Sequence, residues 1–189
     1  ILKLPNPNTK KVLIAIAHDS IEDTNKTFEW LSEDYWYDVA LAVQAISKEP
    51  WKKYQDLSIE NEAERIKNAK KQRNITYFWH LQSFETFKSH IANLAKEKWI
   101  ELTEEKLIEI TRNALDVKFA DRIHNLSTQW DPSNLEQVRK KIDETKKFFL
   151  GIAHETNNEA HEQIKTLLLT LELRLQDTSW KVTALLGGE

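Results

Sequence analysis

An all-α fold is the class this sequence predicts, and two observations predict it. Only 3 Gly and 4 Pro interrupt 189 residues in which Glu, Lys, Leu and Ala dominate, a composition that favours helix nearly throughout. Apolar residues recur at three- and four-residue steps: Phe28, Leu31, Tyr35, Val39, Val43 and Ile46, then Leu107, Ile110, Leu115 and Phe119. Such spacing gives each helix one face to bury in a core.

In chain order, this reading predicts helices over 10–19, 27–47, 58–72, 75–98, 103–127, 133–156 and 158–177. The first is a strongly apolar run, and the second carries the longest apolar stripe and is stopped by Pro50. Asn74 and Thr103 have the side chains that N-caps require, so each is expected to open the helix that follows it. Trp130-Asp131-Pro132-Ser133 reads as a turn into the sixth helix. With no internal repeat and the length of one ordinary domain, residues 1–189 are expected to form a single domain.

Bulk properties exclude several classes of function. The net charge of -3 comes from 27 basic and 30 acidic residues spread along the chain, without the basic stripe that grips polymer nucleic acid. No apolar run approaches the roughly 20 residues of a membrane span. Absence of cysteine removes thiolate catalysis, disulfides and Cys-zinc sites together, and with no secretory signal pattern it points to the cytoplasm. The chain has no methionine and opens on Ile1, so residues are expected to be missing from it. No Gly-rich phosphate loop is present, which argues against P-loop and dinucleotide-binding folds.

Two polar constellations stand out. Ala15-Ile16-Ala17-His18-Asp19-Ser20-Ile21-Glu22-Asp23-Thr24 places ionisable groups directly after an apolar helix; helical continuity would set His18 beside Glu22 and Asp19 beside Asp23. Downstream, Asp121 and Asn125 are four apart among the apolar positions Phe119, Ile123 and Leu126. A carboxylate bordering a buried stripe needs a partner or a cation, and His18 with Asp19 is able to share a metal with it. Imidazole with carboxylate oxygens suits Mn²⁺, Fe²⁺ or Mg²⁺. Taken singly, each motif is equally well a cap, a helix end or a surface ion pair; together they favour a metal site.

His18-Asp19-x-x-Glu22-Asp23-Thr24, followed by Lys118-x-Ala120-Asp121-Arg122-x-His124-Asn125, resembles the hydrolase domain of RelA/SpoT-type alarmone enzymes, within the HD superfamily of phosphohydrolases. The likeness extends through Ala45-Ile46-Ser47-Lys48 and weakly into Glu144-Thr145 and Ile152-Ala153-His154. It implies an HD-domain helical bundle and one divalent metal, usually Mn²⁺, with His18, Asp19 and Asp121 as ligands. An upstream histidine is the implied fourth; Pro5 and Pro7 have none before them, so it is expected ahead of Ile1, on a helix lacking here. By the same resemblance Glu22 and Asp23 orient or deprotonate water, and Asn125 and Thr128 contact a small phosphorylated nucleotide. The implied reaction is 3′-pyrophosphate removal from a guanosine tetra- or pentaphosphate. Alternatives are an HD phosphohydrolase of another nucleotide or phosphate ester, and a binding or regulatory module without catalysis. Ser127 replaces the basic residue usual before the threonine, and the middle of the chain is unmatched.

Other candidates are read as structural. Tyr77-Phe78-Trp79-His80 is expected to pack the core in preference to lining the pocket, His154 and His161 to have surface or helix-packing roles, and Lys140, Lys141, Lys146 and Lys147 to lie on a solvated face, while Tyr35, Trp36 and Tyr37 suit an interface in a homo-oligomer.

Overall fold

The computed structural model describes residues 7–24 and 26–186, with side chains as far as Asp177. These residues are all-helical. Two compact units divide the chain within one long helix, between Lys118 and Phe119.

The first unit holds α1 (Thr9–Ala17), α2 (Ser20–Asp23), α3 (Phe28–Asp34), α4 (Tyr37–Ile46), a 3₁₀ turn (Trp51–Tyr54), α5 (Glu62–His80), α6 (Phe84–Glu97) and the early part of α7 (Glu104–Thr128). Its centre is α4, where Val39, Ala40, Leu41, Ala42 and Val43 are all fully buried. A helix apolar on every side is a core element, and its alanines let α1, α3 and α6 approach it closely. Ile14 and Ala17 of α1, Leu31 of α3, and Phe87, Ile91 and Leu94 of α6 complete this core.

One buried charge cluster ties the unit together. Asp38, 5% exposed in the first turn of α4, lies 2.7 Å from both Lys10 and Lys106, and each lysine also reaches Glu109. Burial pushes the Asp38 carboxyl up, but the two ammonium groups overcome this and hold it below its usual value. Beside it, Lys11 of α1 meets Asp116 of α7 at 2.7 Å.

Several boundaries differ from expectation. The helix expected over 27–47 breaks at Tyr35 and Trp36, which is extended (φ -170, ψ 153). Tyr35 thereby turns its ring edge to Trp30, while α4 is released to bury itself on all sides. Asn74 does not start a helix: α5 runs through it, since Tyr77 and Phe78 further along are anchored in the core. The break falls instead at Leu81 to Ser83, where the Ser83 hydroxyl accepts from the Thr86 amide at 3.1 Å. Thr103 does cap α7, accepting from the Lys106 amide at 3.2 Å. After α6, Trp99 takes a left-handed φ of 57 with its side chain 95% exposed, while Ile100 N–H returns to the Ala95 carbonyl at 2.9 Å.

The second unit takes the rest of α7 with α8 (Leu135–Phe148), α9 (Leu150–Thr156) and α10 (Asn158–Leu186). The expected turn is present: Asp131 accepts from the Ser133 amide and Asn134 caps α8. The helix expected over 133–156 is divided at Phe149, which is fully buried and bends the chain at φ -108. Val138, Ile142, Ile152, Ile164, Leu168 and Leu171 are buried as well and form the apolar core of this unit. Among the described residues no helix is long and apolar enough to cross a membrane.

Candidate functional site

Helix α1 ends at Ala17, yet His18 (φ -58, ψ -32) and Asp19 (φ -95, ψ -4) stay close to helical geometry before α2 begins. The spacing expected from a continuous helix is therefore nearly kept, and the Asp23 amide bonds the Asp19 carbonyl at 2.9 Å. His18 Nδ1 donates to the Ala15 carbonyl at 2.7 Å, which places the other ring nitrogen's lone pair on the far side. That atom, Nε2, stands 3.0 Å from Asp19 Oδ2.

A neutral imidazole nitrogen and a carboxylate oxygen are both acceptors, so this approach calls for a proton or a cation between them. Two donors that share one divalent ion at bond lengths of about 2.1 Å and a right angle stand about 3 Å apart. The donor types and their separation fit such an ion, and the Nδ1 bond to a carbonyl is the kind of outer contact that orients a ligating histidine. Among the described residues no three His, Asp or Glu side chains are gathered into a group able to hold a metal.

Ser47 and Lys48 hold this segment from the other side. Ser47 Oγ shares its proton between the Val43 carbonyl at 2.7 Å and the His18 carbonyl at 3.0 Å. The next amide, of Lys48, donates to Glu22 Oε1 at 2.8 Å. Glu22 is thus tied by one oxygen, whereas Asp23 is exposed at the end of α2. The Ser47 and Lys48 contacts were not legible as such, because they join residues 26 and 29 positions apart.

In the second unit Asp121 Oδ1 accepts from Asn125 Nδ2 at 2.8 Å, as the four-residue spacing anticipates. Thr128 is exposed, and its hydroxyl donates to the His124 carbonyl at 3.1 Å. His124 is exposed too. Arg122 is not on the surface: it is 5% exposed with its guanidinium 4.0 Å above the Phe149 ring. Pro5 lies outside the described residues.

A second polar centre was missed by reading the sequence. Its residues come from the segment after α4, the 3₁₀ turn, α5 and α6, which enclose a cleft of about 300 Å³. In it the His80 and His90 rings stack at 3.9 Å and 12°. Burial pushes His90 down to about 4, with help from His80 beside it, and burial lowers His80 as well. Glu49 accepts from Lys53 and from Tyr54, whose phenol is pushed up to about 12 by burial and by that carboxylate. The expected core cluster is split accordingly: Tyr77 and Phe78 are buried, Trp79 is 56% exposed and His80 lines the cleft. His154, which is exposed, and His161 meet edge to face at 5.0 Å, in keeping with the surface or helix-packing roles expected of them.

Comparison of the chain with protein-family models, with curated proteins and with solved structures finds no match.

Proposed function

We propose that this chain is a cytoplasmic, metal-dependent phosphohydrolase of the HD type, acting on a guanosine 3′,5′-bis(diphosphate)-like nucleotide to release its 3′-pyrophosphate. The observation that carries the reading is His18: its Nδ1 is anchored on a backbone carbonyl and its Nε2 faces Asp19 at 3.0 Å, inside the motif that resembles the HD ligand pair. His18 and Asp19 would supply ligands to the ion, Mn²⁺ by preference and Fe²⁺ or Mg²⁺ otherwise, and Asp121 is assigned a ligand's role by the motif resemblance alone. The ion's contribution is to acidify water and to offset charge on phosphoryl oxygens.

The chain's own groups do the rest. Glu22, fixed through one oxygen by the Lys48 amide, keeps the other to accept a proton, and exposed Asp23 assists from the end of α2. Asn125, held by Asp121, and Thr128 bind the nucleotide.

The test is pyrophosphate release with Mn²⁺ from guanosine 3′,5′-bis(diphosphate) against a panel of ordinary nucleotides. Selective release, abolished by a chelator, is expected, with His18→Ala and Asp121→Ala each lowering kcat/KM by about a thousandfold or more. Release from other nucleotides alone would keep the chemistry and discard the substrate. Inertness toward every nucleotide would overturn the reading.

A further inference from the structure

Among the described residues that line the cleft between α5 and α6, one cation stands outside any ion pair. Glu49 is matched by Lys53 and by the Tyr54 hydroxyl, and Glu97 sits exposed at the mouth. The two stacked imidazoles, depressed by burial, add no charge near neutrality. Arg73 is different. It is partly buried, has no carboxylate within ion-pair distance among the described residues, and makes its one side-chain hydrogen bond at a weak 3.4 Å to Asn74 Oδ1. Its Nε is buried without a hydrogen-bond partner among the described residues.

A guanidinium with its Nε turned away from water and no counter-anion nearby is poorly satisfied, and its planar fork of N–H groups matches the oxygens of a phosphate. Thr76, Asn93 and the imidazole N–H groups line the same space and supply neutral donors around it. A volume of about 300 Å³ is at the lower end of small-molecule sites. We propose that this cleft binds the phosphate group of a small phosphorylated molecule, with Arg73 as its principal contact. The site lies wholly within the first unit and does not rest on the hydrolase reading. Ser47 and Glu49 belong to its lining, so an occupant leans on the segment whose middle residue, Lys48, secures Glu22.

The test is calorimetric titration of inorganic pyrophosphate into the full chain in the presence of a chelator, so that neither metal nor turnover contributes. Saturable binding is expected in the parent, weakened about tenfold or more by Arg73→Gln and less by Arg73→Lys, which keeps charge but loses the fork. Asp121→Ala should bind as the parent does, and circular dichroism should show every variant equally helical. Absence of saturable binding, equal affinity in Arg73→Gln, or citrate binding as tightly as pyrophosphate would overturn the proposal. Loss on Asp121→Ala with Arg73→Gln unaffected would overturn it too, since the anion would then occupy the other candidate site.

Discussion

At the scale of single residues, buried charge tells the clearest story. Asp38 survives in the core because Lys10 and Lys106 both reach it, and removing it would leave two ammonium groups to share Glu109 alone. Asp38→Ala should therefore destabilise the chain by about 2 kcal/mol in urea unfolding, below the range for a charge stranded in the core, because both lysines keep Glu109 and partial contact with water. Its carboxyl titrates below its usual 3.8, so its contribution is present above that value and is lost as pH falls through the lower folded one. His90 acts in a higher window. Unfolded, it takes a proton near 6.5, but folded it refuses one until about 4. Stability should thus be level above 6.5 and fall by up to about 3 kcal/mol as pH drops toward 4, at about 1.4 kcal/mol per pKa unit. His90→Phe should flatten that decline, and an unchanged slope in the variant would show that His90 does not cause it. The His18-Asp19 approach joins adjacent residues past the end of α1, where the expected pairings were His18 with Glu22 and Asp19 with Asp23. The Asp121-Asn125 contact could be read from the sequence, since four-residue helical spacing sets it. The His80-His90 stack could not: ten residues on one unbroken helix stand about 15 Å apart. Placing the break at Asn74 put both on one helix, whereas the real break at Leu81 to Ser83 folds them together at 3.9 Å.

At the scale of elements, the ends decide more than the middles. Asn74 has a capping side chain but is overruled by the packing of Tyr77 and Phe78 beyond it, which is why propensity misplaced the α5 boundary. Thr103 was placed correctly because no apolar anchor competes with it. Trp99 ends α6 in a left-handed conformation that costs an L-residue about 1 kcal/mol, with an indole too exposed to recover it by burial. Trp99→Gly should raise the unfolding free energy by about 0.5 to 1 kcal/mol. Gly151 offers the converse case inside α9, since an added Cβ there meets nothing within 4 Å. Gly151→Ala should stabilise by about 0.5 to 1 kcal/mol, measured by the shift in urea midpoint.

At the scale of the whole chain, the all-helical class was legible because composition and periodicity agree over nearly every segment. Its division near Lys118 was not, because the boundary falls inside α7, where neither glycine nor proline marks it. Ion pairs such as Lys98 with Glu29 and Lys88 with Glu104 have exposed carboxylates, so they are screened by salt. Raising NaCl to about 0.5 M should change unfolding free energy by less than about 1 kcal/mol in the parent, since the pair that matters most, at Asp38, is shielded from solvent ions. A markedly steeper salt dependence would mean that exposed pairs carry the fold.

The turn at Trp99 has a practical side. The chain contains no cysteine, so Trp99→Cys would create a single thiol at a site where a bulky group already stands in water. A fluorophore attached there would ride on the helix that supplies His90 and Asn93 to the cleft, and its anisotropy would register whether that helix stiffens when an anion enters.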